Sequence, residues 1–446
     1  MQTFRLIKLR NILLIGILVT IISCTKQSSP LQKILENIPG TTVNKLEGDS
    51  VFSEKYEIYY TQAINHNKRE GEKFQQRVII GHKDFNKPMV VQLEGYSIYS
   101  DKACELTNIL DANQITIEHR FFKDSKPDSI PWQYLNIKQA ATDQHRIIKS
   151  LKKYYKNKWI STGISKGGQA TIYHRRFYPF DVDVSVPYVA PLNFSNEDTR
   201  IYDFFETVGT KKERNHIYDF QLFLFENKDK ILPLLKSYAK EKNYKFSIGI
   251  ERAYDLNVLE FPFAFWQWGS CCKKIPKLNS DLKDIFDYWK STAPFSFFED
   301  TGIKNNRPFF FQAMTEIGMY GYNITPFKKY LDDTENIKFD FAMPKNVSYS
   351  YNPDAMKDIN DWLQTNGNNI LYIYGENDPW GATSVNLSGN TNAVKMVNPG
   401  GSHTSRIKSF PPKMQDSIYH VLEKWLEINI INSNGGTKEK VPLQVL

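Results

Sequence analysis

Lys158–Tyr178 reads KWISTGISKGGQATIYHRRFY. Trp159–Thr162 is a short run with β-branched residues, expected to form a strand. Gly163-Ile164-Ser165-Lys166-Gly167 follows at once, and Gln169–Phe177 reads as a helix. A strand, a tight turn with Gly on both sides of a Ser, then a helix is the context in which Gly-x-Ser-x-Gly presents a nucleophile. Such a turn is strained, so its flanking positions need residues without a Cβ. Ser165 Oγ is then expected at the carboxyl end of the strand, with a positive helix terminus beneath a developing oxyanion. The pentapeptide alone also fits an ordinary Gly-rich turn, so the rest of the chain must decide.

Upstream, Lys55–Ile64 and Phe74–His82 are β-rich runs joined by the polar link 66–71, which suggests an antiparallel hairpin. Pro88–Leu93, PMVVQL, is a continuous apolar run of the kind found in buried strands. Ile115–Phe122 reads as a further strand, and Ala140–Tyr155 has helical spacing of Ile147, Ile148, Leu151 and Tyr154. Val182–Ala190 is the next strand. Strands alternating with helices argue for an α/β fold with a mostly parallel sheet. Residues 30–50 offer no clear element. From about Phe194 the rhythm stops, and 196–340 reads as a largely helical insertion, with helix-like stretches at Ile217–Phe225 and Leu232–Lys242. Strand patterns return at Asn369–Tyr374 and Ala393–Val397, and Ser417–Ile428 is an amphipathic helix. The expected organisation is therefore a core over 51–195 and 341–432, split by the insertion, with a polar tail over 433–446.

A serine nucleophile needs a base and an orienting acid, and in folds with this elbow they follow in the order acid, then His, each after a strand. Gly375-Glu376-Asn377-Asp378-Pro379-Trp380 lies beyond the first returning strand, and Gly400-Gly401-Ser402-His403 beyond the second. Asp378 is the candidate acceptor for the imidazole N–H, and His403 the candidate base. Alone, Asp-Pro is a common turn starter and a loop His is ordinary; the order and the preceding strands give them meaning. His119 precedes the serine, and His174 sits beside Arg175 and Arg176 on the elbow helix. The oxyanion donors are expected to be the N–H of Lys166 and that of Gly95 or Tyr96, in the loop after Pro88–Leu93.

The 446 residues carry a net charge of +8, with Lys spread along the chain. No concentrated basic stripe points to nucleic acid. At 41% hydrophobic and 14% aromatic residues the chain can build a core, which excludes wholesale disorder. Arg5, Lys8 and Arg10 precede the apolar run 11–22, too short to span a bilayer and typical of an export signal. Ile21-Ile22-Ser23-Cys24 resembles a bacterial lipobox. That likeness implies cleavage before Cys24 and lipidation of its thiol, followed by a polar tether (24–50 with the lead-in); a simple signal with an incidental Cys is the alternative. The chain is then expected outside the cytoplasm, anchored to a membrane of the cell envelope. Cys104, Cys271 and Cys272 remain, and at most one of the adjacent pair could reach Cys104. No Cys-x-x-Cys or His-Glu-x-x-His occurs, so neither a metal site nor a cofactor is expected.

The stretches ITIEHRFF (115–122), GISKGGQATIYHRRFYPFDVDVSVPYVAP (163–191), TEIGMYGY (315–322), YGENDPW (374–380) and GGSHTSRI (400–407) resemble the secreted bacterial prolyl tri- and tetrapeptidyl aminopeptidases. They are more distantly similar to the lysosomal Pro-X carboxypeptidase and dipeptidyl peptidase II group. The resemblance implies an α/β-hydrolase core with a helical cap, a Ser165–Asp378–His403 triad, and release of short, Pro-containing peptides from a free N-terminus. Such an enzyme must hold a substrate ammonium, and Glu94, Glu118 and Glu316 are the candidates, each with a structural ion pair as the alternative. Phe261, Phe263, Phe265, Trp266 and Trp268 are candidates for a proline pocket, or simply core. A carboxylesterase or lipase with the same triad, and an inactive binding lipoprotein, are the rival readings.

Overall fold

The computed structural model describes residues 28–430 except 69 and 336. The expected signal (1–23), Cys24 and the tail over 433–446 lie outside the described residues. Nine strands form one sheet: β1 (Thr41–Leu46), β2 (Glu54–Ala63), β3 (Lys73–His82), β4 (Met89–Leu93), β5 (Asn113–Ile117), β6 (Trp159–Ile164), β7 (Val184–Tyr188), β8 (Leu371–Gly375) and β9 (Val394–Asn398). Their order is β1-β2-β3-β5-β4-β6-β7-β8-β9. The pairs β1·β2, β2·β3 and β3·β5 are antiparallel and all later pairs are parallel. This is an α/β-hydrolase sheet.

The apolar run of β4 is explained by its position. Met89, Val90, Val91 and Leu93 are fully buried, because helices cover both faces. Val91 and Trp159 pack with Ile147, Ile148 and Leu151 of the helix Ile137–Lys152. Their neighbours Val90 and Ile160 point the other way, toward Ile418 and Leu422 of the helix Pro412–Leu426. The helix Lys166–Phe177 contacts both Ile137–Lys152 and Pro353–Asn366. With β5 on one side of β4 and β6 on the other, the strand order reverses there. A crevice therefore opens beyond the carboxyl ends of β4 and β6.

Between β7 and β8 the described residues form α-helices at Arg200–Thr207, Lys211–Glu226, Lys228–Lys242, Ile250–Gln267, Leu282–Thr292 and Asp300–Gln312, ahead of Pro353–Asn366. Thr210 and Glu213 close a capping box at the start of Lys211–Glu226. Phe220, Leu224, Phe261, Phe265 and Trp289 build a core within this segment.

Two elements differ from the sequence expectation. The lead-in is folded: Pro30–Glu36 is a helix whose first turn is capped by Ser29, and β1 follows. No residue of β1 is fully buried, so its apolar pattern is weak, and pairing with β2 supplies the order. The strand expected over 115–122 stops at Ile117. Beyond it the chain turns inward, with Phe121 at φ 68°. Cys104, Cys271 and Cys272 are all free thiols, so no disulfide joins them. Among the described residues no helix is long and apolar enough to cross a membrane.

Arg120 makes that inward turn. Its guanidinium is fully buried and forked on Asp143, at 2.6 and 2.9 Å, and donates to the carbonyls of Ile64, Tyr134 and Ala63. Removing one partner of a buried pair strands the other charge. Asp143→Ala is therefore expected to cost about 3–5 kcal/mol of stability, read as a lower urea midpoint with an unchanged m-value.

Candidate active site

Ser165 sits between β6 and its following helix at φ 58° and ψ −123°, a region that ordinary residues avoid. Its N–H donates to the Tyr188 carbonyl at 2.9 Å, and its carbonyl accepts from Gln169 N–H at 2.9 Å. The turn closes because Gly163 has no side chain: a Cβ there would collide with the Gly167 carbonyl and stand 2.6 Å from the Leu93 carbonyl. Gly95, after β4, is held equally close; its Cβ would lie 2.5 Å from the backbone of Lys166 and Gly167. The loops after β4 and β6 thus meet backbone to backbone. The Tyr96 phenol is the polar neighbour of the Ser165 side chain, and burial raises its pKa.

Asp378 follows β8 and His403 follows β9. Their side chains meet, with His403 Nδ1 at 2.7 Å from Asp378 Oδ2. Asp378 is fully buried, and its second oxygen accepts from Trp380 N–H at 3.2 Å, which fixes the carboxylate plane. The two loops are tied together by Asn377 N–H on the Gly401 carbonyl (2.7 Å) and Gly400 N–H on Glu376 Oε2 (2.7 Å). The helix Ile250–Gln267 reaches the same loop: His403 N–H donates to the Gln267 carbonyl at 3.0 Å, and the Trp268 ring stands edge-on to the imidazole at 6.1 Å. Among the described residues Ser165 Oγ makes no hydrogen bond to His403. A buried Asp–His pair and a strained, half-buried serine are parts needed for acyl transfer.

Ser165 opens into a cavity of about 300 Å³, whose walls include Tyr96, Glu260, Trp268, Tyr320 and Trp380. Glu260 is the one carboxylate in that wall. Its Oε2 accepts from the hydroxyls of Tyr320 (2.9 Å) and Tyr322 (2.6 Å). Burial pushes its pKa up to about 7, against the pull of the two phenols.

The sequence matches the family described as PS-10 peptidase S37 over residues 28–434. The chain belongs to that family. It is a serine hydrolase on an α/β-hydrolase core. A prolyl tri/tetrapeptidyl aminopeptidase from Streptomyces mobaraensis is 32% identical over 357 residues, which are 78% of this chain and 75% of that protein. Among solved structures, a proline iminopeptidase from Mycobacterium smegmatis overlaps 82% of this chain and 99% of its own at 11% identity and a TM-score of 0.39. Acetyl xylan esterase 1 from Thermoanaerobacterium sp. overlaps 89% of this chain and 91% of its own at 12% identity and a TM-score of 0.37. At those scores the fold assignment rests on the sheet order and the family match.

In this S37 peptidase the three carboxylates expected to meet a substrate ammonium are placed elsewhere. Glu118 is fully buried and accepts from Ile98 N–H (2.9 Å) and Ser125 Oγ–H (2.8 Å), pinning the chain after β5. Glu316 accepts from Ile137 N–H at 2.8 Å and caps the helix Ile137–Lys152; burial pushes it up to about 7. Glu94 accepts from its neighbour Gln92 at 2.6 Å and is likewise raised to about 7 by burial. None of the three is in the wall of the Ser165 cavity. Of the expected cap aromatics only Trp268 is in it; Phe261 and Phe265 are core, and Phe263 backs the wall by stacking on Tyr320 at 3.9 Å. Glu260 was missed, although its signal is visible: a single carboxylate inside the apolar run Val258-Leu259-Glu260-Phe261. His119 Nδ1–H donates to the Arg120 carbonyl at 3.0 Å, and His174 is paired with Asp181. The described residues hold no metal-binding cluster.

Gly163→Ala forces β6 away from Gly167 and releases the elbow. We expect at least about a tenfold slower reaction of Ser165 with a fluorophosphonate, a barrier rise of about 1.4 kcal/mol, together with a lower Tm.

Proposed function

We propose that this chain is a serine exopeptidase that releases short, Pro-containing peptides from free N-termini through an acyl-enzyme on Ser165. His403 takes the proton of Ser165 Oγ as the oxygen attacks the peptide carbonyl, and returns it to the leaving amine. Asp378 holds the Nδ1–H tautomer and stabilises the imidazolium. The N–H groups of Lys166 and Tyr96, with Gly95 giving the loop its close approach, receive the carbonyl oxygen as it becomes negative. Water activated by His403 then hydrolyses the ester. To receive this proton His403 must come within hydrogen-bond reach of Ser165 Oγ, a contact that commonly tightens only with substrate bound.

The observation that carries the exopeptidase reading is Glu260. A carboxyl group held neutral by burial, with two phenols fixing its direction, in the same cavity as the serine, is suited to receive an ammonium and ionise as it does so. The aromatic walls Tyr320 and Trp380 suit a pyrrolidine ring. The activity for which the Streptomyces relative is named supports the same substrate class. We assign the chain to the cell envelope, lipid-anchored through Cys24; detergent-phase partitioning of the full chain, lost in Cys24→Ala, tests that part.

The deciding experiment is digestion of free and N-acetylated peptides, with and without Pro at the third position, by the full chain in detergent and by Ser165→Ala. Release of N-terminal di-, tri- or tetrapeptides, blocked by acetylation and lost in Ser165→Ala, is expected. Hydrolysis of acyl esters with no peptide released would transfer the reading to an esterase.

Glu260→Gln should lower kcat/KM for free peptides by about 10- to 100-fold, the value of a lost charge-assisted hydrogen bond, with acetylated peptides unaffected. Because the folded pKa is about 7 against an ordinary 4.5, the neutral form predominates below pH 7, so KM for free peptides should fall as the pH rises through about 7. The same shift makes folding stability, fully present below the unfolded value, decline as the pH rises through the folded one. Both trends should flatten in Glu260→Gln.

A further inference from the structure

Lys166 is an unusual neighbour for a nucleophile. It opens a helix, where a cation opposes the positive terminus, and it is 3% exposed. Among the described residues its side-chain nitrogen has no carboxylate partner. It donates to one group, the Gly95 carbonyl, at 2.7 Å, and lies over the rings of Phe122 (5.1 Å) and Tyr96 (5.7 Å). Burial drives its pKa well below the ordinary lysine value. A small cavity of about 10 Å³ adjoins it, walled also by His119, Gln144 and Gln312; the side-chain oxygens of both glutamines have no hydrogen-bond partner among the described residues. A buried amine is costly, and a methionine would fill the same space without that cost.

The one bond Lys166 makes lies on the peptide that matters. Among the described residues there is no cis peptide bond. In the trans Gly95–Tyr96 peptide the C=O and the N–H point in opposite directions. Holding the Gly95 oxygen therefore sets the direction of Tyr96 N–H, which has no acceptor among the described residues. That peptide lies against the Lys166–Gly167 backbone, and Tyr96 faces Ser165 in the cavity. An N–H donor on the carbonyl also polarises the peptide and strengthens its N–H as a donor.

We propose that Lys166 is a positioning residue for the oxyanion: its Nζ–H donor holds the Gly95 carbonyl back and so aims Tyr96 N–H, beside the N–H of Lys166 itself, at the tetrahedral oxygen. The proposal rests on the reading of Ser165 as the nucleophile. It gives one residue two functions: its backbone supplies a donor, and its side chain orients the other.

The test uses a fluorophosphonate, whose reaction with Ser165 builds the same tetrahedral centre and needs no knowledge of the peptide. Lys166→Met should react about 10²-fold more slowly than wild type, the usual effect of losing one oxyanion donor. For whichever substrate wild type hydrolyses, kcat should fall in proportion while KM stays within about threefold. Lys166→Gln, which keeps an N–H donor, should fall between the two. Equal reactivity of Lys166→Met and wild type, or a change confined to KM, overturns the proposal and leaves the nucleophile intact. A wild-type chain that never labels at Ser165 overturns both. If the variants do not fold, a crystal structure of the wild-type phosphonyl adduct decides: its oxygen should lie about 2.7–3.1 Å from Tyr96 N and Lys166 N with Lys166 Nζ still on the Gly95 carbonyl. An adduct oxygen turned away from Tyr96 N–H overturns it.

Discussion

Three backbone segments converge at the head of this sheet with no room for a Cβ between them. The Leu93 carbonyl at the end of β4, Gly163 at the end of β6 and Gly167 in the first turn of the next helix lie within van der Waals contact. Everything at the site depends on that convergence. It forces Ser165 into a backbone region that costs of order 1–3 kcal/mol, and it brings the β4 loop alongside the elbow. The sheet around it is stiff enough to bear the strain, because β4, β6 and β7 are buried on both faces. The strain is local, and the buried strands that hold it are distributed across the whole core.

The same convergence explains how much could be read from the sequence. Glycines spaced around a serine, between a β-branched run and a helical one, report a backbone contact that no other residue type allows. The meeting of Asp378 with His403 was legible because each lies in the loop after a returning strand, and strand order constrains where such loops meet. Which carboxylate faces the Ser165 cavity was not legible. Glu118, Glu316 and Glu94 stand in or next to the likeness-bearing stretches, yet Glu118 and Glu316 satisfy backbone N–H groups and Glu94 pairs with Gln92. A carboxylate that caps a helix and one that faces a cavity look alike in a sequence. Glu260 stood out only as a carboxylate inside an apolar run. Its helix is buried without a break from Ala253 to Phe261, so spacing alone does not show which neighbours it faces.

Buried charge recurs through this molecule in three distinct ways. Arg120 and Asp143 neutralise each other and tie the chain after β5 to the helix Ile137–Lys152. Glu260 has only phenols for company and is held near neutrality. Lys166 has a single carbonyl. The first arrangement is one that stability alone can account for. The other two bury a titratable group beside Ser165 with no opposite charge facing it, a cost that a fold carries where the site requires it.

The bond from His403 N–H to the Gln267 carbonyl has a consequence for how this architecture diversifies. A cap inserted between β7 and β8 looks like a detachable module, free to be exchanged for another with a different pocket. Here its longest helix ends on the backbone of the residue that would handle the proton, and Trp268 stands against that residue's ring. A transplanted cap that lacks this last turn would arrive with a new pocket and a loosened imidazole. Recombination among such enzymes is therefore constrained to carry the end of the helix with the loop it grips, and new specificities are more accessible by changing the cavity wall residue by residue.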